Sequence, residues 1–114
     1  MTRDLQAGIE AILHAAPVVP FMVIERVADA VPLARALVQG GLPVLEITLR
    51  TNAAIESIRA IMAEVNGAIV GVGTVITPEQ MAQMDKLGCA FAVSPGSSPL
   101  LLKAAKDIKM PLLP

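Results

Sequence analysis

Apolar runs of strand length begin near residues 18, 43, 69, 91 and 110, and a stretch of helical period follows each of the first four. One strand-helix unit therefore recurs about every 19 to 26 residues. This spacing predicts a parallel sheet, since a strand that returns through a helix re-enters the sheet in the same direction. Parallel strands need helices over both faces of an open sheet, or around the outside of a closed barrel. At about 23 residues per unit, eight units require roughly 185 to 200 residues, and this chain of 114 holds four and a half. It also stops within an apolar run, with no turn or helix after it. The expected fold is the first part of a small (β/α)₈ barrel, truncated or incomplete; an open α/β domain of four or five strands is the alternative.

Local signals place the elements. A helix is expected over 4–15 with Thr2 or Asp4 as cap, then strand one over 18–24, with Pro20 where its missing N–H is tolerated. Asp29 can cap a helix reaching Gln39, with Pro32 in its first turn and Gly40-Gly41 closing it. Strand two spans 43–50, and Thr51 or Asn52 starts a helix ended by Asn66-Gly67. Strand three covers 68–76, and Thr77-Pro78-Glu79-Gln80 reads as a capping box for a helix stopping at Leu87-Gly88. A fourth strand is expected over 90–93, a helix over 100–107 behind Ser98-Pro99, and a fifth strand from residue 110.

Composition narrows the function classes. The chain is 54% hydrophobic and only 2% aromatic, so its core is aliphatic. Nine basic against ten acidic residues, dispersed along the sequence, give a nucleic-acid backbone no charged block to bind. The sole cysteine, Cys89, permits neither an intrachain disulfide nor a thiolate metal site, and a reducing compartment is expected. No 18-residue window is free of charge and mostly apolar, so neither a membrane span nor a secretory signal is expected.

Strand two carries the most informative pattern. Its period of two places Val44, Glu46, Thr48 and Arg50 on one side and Leu45, Ile47 and Leu49 on the other. With the aliphatic side toward the helices, Glu46 and Thr48 point into the barrel and Arg50 reaches its C-terminal rim, where such folds build active sites. A charge in mid-strand is costly to bury unless paired or functional; a Glu46–Arg50 pair fixing the strand end is the structural alternative. In strand three, Gly71 and Gly73 share a parity and leave room inside, whereas Thr74 has the other parity and needs a twist or bulge to turn inward. Gly-x-Gly alone is a weak nucleotide signal, since Ile76 stands where a dinucleotide fingerprint has its third glycine. Residues 94–99 form a turn that could expose N–H groups and hydroxyls above strand four. His14 reads as a solvated helix end, Cys89 as a buried packing residue, and Met62, Met81 and Met84 as core filler.

Four ordered segments resemble one family: residues 17–20 (PVVP), 45–51 (LEITLRT), 69–75 (IVGVGTV) and 91–96 (FAVSPG) are similar to those of the bacterial 2-keto-3-deoxy-6-phosphogluconate aldolases, also described as 4-hydroxy-2-oxoglutarate aldolases. The resemblance implies a class I lyase on a (β/α)₈ barrel, usually a cytoplasmic homotrimer of the Entner–Doudoroff pathway, which needs neither metal nor organic cofactor. Its substrate would be a phosphorylated 2-keto acid, cleaved reversibly to pyruvate and glyceraldehyde 3-phosphate through a lysine Schiff base. By that resemblance residues 1–114 are the N-terminal portion of the barrel. Glu46 matches the catalytic acid/base, Arg50 the carboxylate-binding residue, Thr74 a polar pocket residue near the substrate carbonyl, and Pro95 part of the pocket loop. The family's Schiff-base lysine lies on strand six, and none of Lys86, Lys103, Lys106 or Lys109 matches it. The 114-residue chain alone is therefore expected to be inactive. Two other readings stay open: a noncatalytic half-barrel that assembles with another chain, and a sugar-phosphate isomerase or epimerase, which would need a second acid/base.

Overall fold

The computed structural model describes residues 5–114. After α1 (Leu5–Ala15) the chain alternates strictly: β1 (Phe21–Met22), α2 (Val27–Gln39), β2 (Val44–Thr48), α3 (Ala54–Glu64), β3 (Ile69–Gly73), α4 (Pro78–Leu87), β4 (Phe91–Val93), α5 (Pro99–Ile108) and β5 (Leu112–Leu113). The five strands form one sheet in sequential order, each pair parallel. An open doubly wound sheet reverses its strand order at a switch point. Here every crossover steps one place the same way, which carries all the intervening helices to one face. This is the arrangement of a partial (β/α)₈ barrel.

The two faces of the sheet bury different partners. Leu45, Ile47, Val70, Val72 and Ala92 pack outward in one buried cluster with Ala30, Ala34, Ile58, Ile61, Met81, Met84, Leu101 and Ala105 of the helices. The aliphatic period of strand two thus faces the helix layer. On the inner face Val44 and Phe91, the first residues of β2 and β4, pack with Ile12 and Ala16. α1 therefore braces the N-terminal ends of the strands. Its Gly8 keeps that approach close, since a Cβ there would lie 3.3 Å from the Pro111 ring. Cys89 is buried, with its thiol pushed up to about 12 by burial first and then by Asp85, as expected of a packing residue.

Most helix punctuation follows the sequence. Thr77 and Gln80 form the full capping box, Ser98 accepts from Leu101 N at 3.1 Å, and Gly88 ends α4 with φ of 102°. Other boundaries differ for identifiable reasons. α2 starts at Val27, ahead of Asp29, because Asp29 N already donates to Arg26 O at 3.0 Å. Pro32 consequently lies inside the helix, beyond its first turn, and the carbonyl it frees belongs to exposed Ala28, where water can serve it. Neither Thr51 nor Asn52 caps α3, which begins after Ala53; the Thr51 hydroxyl is spent on Ile24 O at 2.5 Å. β1 and β5 keep only two paired residues each, far fewer than their apolar runs suggest. The expected Thr2 or Asp4 cap lies outside the described residues.

Candidate active site

The site begins with register. Glu46 lies between Phe21 of β1 and Gly71 of β3 on the inner face. Both β3 glycines make room there: a Cβ on Gly71 would run into the Phe91 ring, and one on Gly73 would overlap the Glu46 carboxylate. The shared parity of the glycines thus does two jobs, seating the core aromatic below and the carboxylate above. Among the described strands, Glu46 is the one titratable side chain.

Two more polar groups meet it at the C-terminal rim. Thr74 adopts φ of 62°, a left-handed turn directly after β3, and this supplies the twist its parity requires. Its Oγ1 then accepts a hydrogen bond from Arg50 Nε at 3.3 Å. The Arg50 guanidinium also stands over the Phe21 ring, 5.9 Å from its centroid. Among the described residues Arg50 makes no ion-pair contact with Glu46, so the strand-end pair does not form, yet its charge is felt by the carboxylate. Pro95 is exposed just past β4, the next strand along the same rim, and touches none of these groups through a hydrogen bond. Phe21 belongs to no motif, and its one signal in the sequence is that it is one of only two aromatic residues in the chain, placed on a strand.

Two threonine hydroxyls, one at the end of β2 and one in the loop after it, tie this part of the chain to β1 and the residues that follow it. Thr48 donates to Met22 O at 3.2 Å and Thr51 to Ile24 O. These bonds continue the short β1 ladder past its last backbone pair and fix the level of Phe21 against Glu46.

Burial raises the Glu46 carboxyl above its ordinary 4.5, and Arg50 opposes that rise. A raised native value means the folded state holds the proton more tightly. The resulting stabilisation is complete below the unfolded value and lost as pH climbs through the native one. Glu46→Gln, which keeps the shape and removes the charge, is therefore expected to be more stable than wild type near pH 7 and to lose that advantage near pH 4. Urea midpoints at the two pH values check this; an advantage that persists unchanged in acid would contradict it.

Among the described residues, no cluster of His, Cys, Asp and Glu is arranged to hold a metal ion, and no helix is long and apolar enough to cross a membrane. What the rim offers is a carboxylate beside a guanidinium and a hydroxyl, a set with the chemistry to receive a carboxylic acid and move a proton next to it.

Known proteins carry the same chain pattern. The KDPG/KHG aldolase of Escherichia coli K12 is 49% identical over 112 residues, and the 2-dehydro-3-deoxy-phosphogluconate aldolase of Dickeya dadantii is 51% identical; each match covers 98% of this chain and 53% of the relative. The chain thus spans about half the length of the relatives it matches. The crystal structure of the 2-keto-3-deoxy-6-phosphogluconate aldolase of Zymomonas mobilis with 3-phosphoglycerate superposes with a TM-score of 0.89 at 52% identity, over 93% of this chain and 50% of that one. The enzyme of Legionella pneumophila, with pyruvate captured as a covalent carbinolamine, gives 0.88 at 42% identity, over 93% of this chain and 52% of that one. The sequence pattern of the family described as KDPG and KHG aldolase runs through residues 9–114. The chain belongs to the KDPG and KHG aldolase family.

Proposed function

We propose that residues 1–114 supply the carboxylate-binding and proton-transfer half of a Schiff-base aldolase site, as the N-terminal portion of a class I aldolase barrel. The observation that carries this reading is the gathering of Glu46, Arg50 and Thr74 at one rim of β2 and β3. At full family length the protein would cleave 2-keto-3-deoxy-6-phosphogluconate reversibly to pyruvate and glyceraldehyde 3-phosphate, as a cytoplasmic homotrimer.

Each group has a role its chemistry suits. A lysine amine condenses with the C2 carbonyl, losing water to give an iminium. As the C3–C4 bond breaks, its electron pair moves into that iminium, and Glu46 relays the proton leaving the C4 hydroxyl and the one later added at C3. A carboxyl with a raised affinity for protons suits such a relay better than an ordinary solvated one. Arg50 receives the C1 carboxylate through parallel N–H donors, Thr74 stands near the carbonyl end, and Pro95 belongs to the adjoining pocket loop. An isomerase would need a second acid/base, and the described strands offer only Glu46.

Among the described residues every lysine lies on a helix or at its C-cap: Lys86 on α4, Lys103 and Lys106 on α5, Lys109 just after it. In the family the reacting lysine stands on strand six, so the 114-residue polypeptide alone is expected to show no substantial cleavage. A hybrid joining residues 1–114 to the remaining part of the E. coli relative tests the positive half of the proposal. It should release pyruvate from 2-keto-3-deoxy-6-phosphogluconate. A hybrid that melts cooperatively yet releases none would refute the reading.

One observation favours assembly beside catalysis. Among the described residues β1 and β5 each pair on one side only, and unpaired strand edges invite another chain. Light scattering of residues 1–114 should show association that rises with concentration; a monomer at every concentration would count against it.

A further inference from the structure

Phe21 is 63% exposed although it sits on a strand of an aliphatic protein, so the core does not account for it. Its ring lies on the inner face in register with Glu46, and Arg50 stands over it at 5.9 Å, within the reach of a cation–π contact. The same guanidinium is engaged at Nε by Thr74 Oγ1. Arg50 thus stands over a ring and donates to a hydroxyl at one edge, which leaves the two terminal nitrogens to form the fork that meets a ligand.

We propose that Phe21 is a positioning residue: it holds the Arg50 guanidinium so that a 2-oxo acid is received end-on through Nη1 and Nη2, with its carbonyl turned toward Glu46. The proposal rests on the aldolase reading of the site and deepens it, by assigning the carboxylate's angle of approach to a residue whose ring lies under the arginine. Two features make the arrangement rigid enough to matter. The Phe21 strand is tied to β2 by Thr48 through Met22 O, the loop that follows it is tied by Thr51 through Ile24 O beyond both strands, and Thr74 is set by its left-handed turn. With Nε occupied, the side-on fork of Nε and Nη2 is closed to a ligand. A carboxylate must then approach from the end of the guanidinium, over the edge of the Phe21 ring.

The test uses residues 1–114 with nitrogen-15 arginine, following the Arg50 side-chain N–H resonances while pyruvate is added. Wild type should show a saturable shift. Phe21→Leu, which loses the ring at an exposed position, should weaken pyruvate binding by about two- to fivefold, and Phe21→Tyr should restore it. Equal affinity in wild type and Phe21→Leu would overturn the role of Phe21 while leaving Arg50 as the carboxylate site. Arg50 resonances that do not move with pyruvate in wild type would instead overturn the carboxylate reading of Arg50, and with it this proposal. Unchanged melting of Phe21→Leu accompanies the expected result; a loss of cooperative melting would show the ring to be structural and contradict it.

Discussion

Replacing Glu46 by glutamine in the hybrid with the E. coli relative is expected to lower aldol cleavage by about 10²- to 10⁴-fold, the range that a positioned general acid/base contributes. The amide keeps the size of the carboxyl and its place beside Gly73, so the packing of β2 against β3 survives. What it loses is the capacity to take and return a proton. This gives the variant two opposite effects: greater stability near neutral pH, because a half-buried charge is gone, and far lower turnover. The pattern separates the catalytic reading from a structural one. A structural carboxylate would lower both together. The check is kcat with 2-keto-3-deoxy-6-phosphogluconate in variant and wild-type hybrids, and a loss smaller than about tenfold would remove Glu46 from the proton relay.

Phe91→Ala should give the largest stability loss of any single truncation in the inner cluster, about 3 to 5 kcal/mol. The ring is fully buried, occupies the space that Gly71 leaves free, and meets Ile12, Ala16 and Val44 beneath the site. Backbone forms most of the wall on the Gly71 side, so the cavity cannot close by the movement of a side chain there. Against a typical total of about 5 to 15 kcal/mol, such a loss brings the chain close to unfolding at room temperature. Leu100→Ala supplies the contrast: at 71% exposure on α5 it should change stability by less than about 0.5 kcal/mol. Urea midpoints of the two variants test the difference, and similar midpoints would deny Phe91 its place in the inner core.

Much of this architecture is legible in the chain. The recurrence of apolar runs dictates parallel strands, and the alternation of Leu45, Ile47 and Leu49 against Glu46 and Thr48 tells the helix side of β2 from the inner side. Thr77, Gly88 and Ser98 act as local punctuation because capping chemistry depends on residues three or four positions away. Long-range bonds decide what local pattern does not. Thr51 looks like a helix cap, but its hydroxyl reaches a carbonyl 27 residues away on the chain, and α3 begins without it. The left-handed turn at Thr74 is equally invisible to parity, since a non-glycine residue adopts it only where its surroundings hold it there. Phe21 belongs to no motif. Only the register of β1 against β2 shows it beside Glu46 and beneath Arg50.

If residues 1–114 provide the rim of an aldolase site and not its nucleophile, pyruvate trapping with borohydride separates the two parts. Residues 1–114 are incubated with both reagents and their intact mass compared with that of the hybrid treated alike. The expected result is no adduct on the 114-residue chain and a stoichiometric adduct on the hybrid, on a lysine outside residues 1–114. A stoichiometric adduct on Lys86, Lys103, Lys106 or Lys109 of the 114-residue chain, accompanied by turnover, would contradict it.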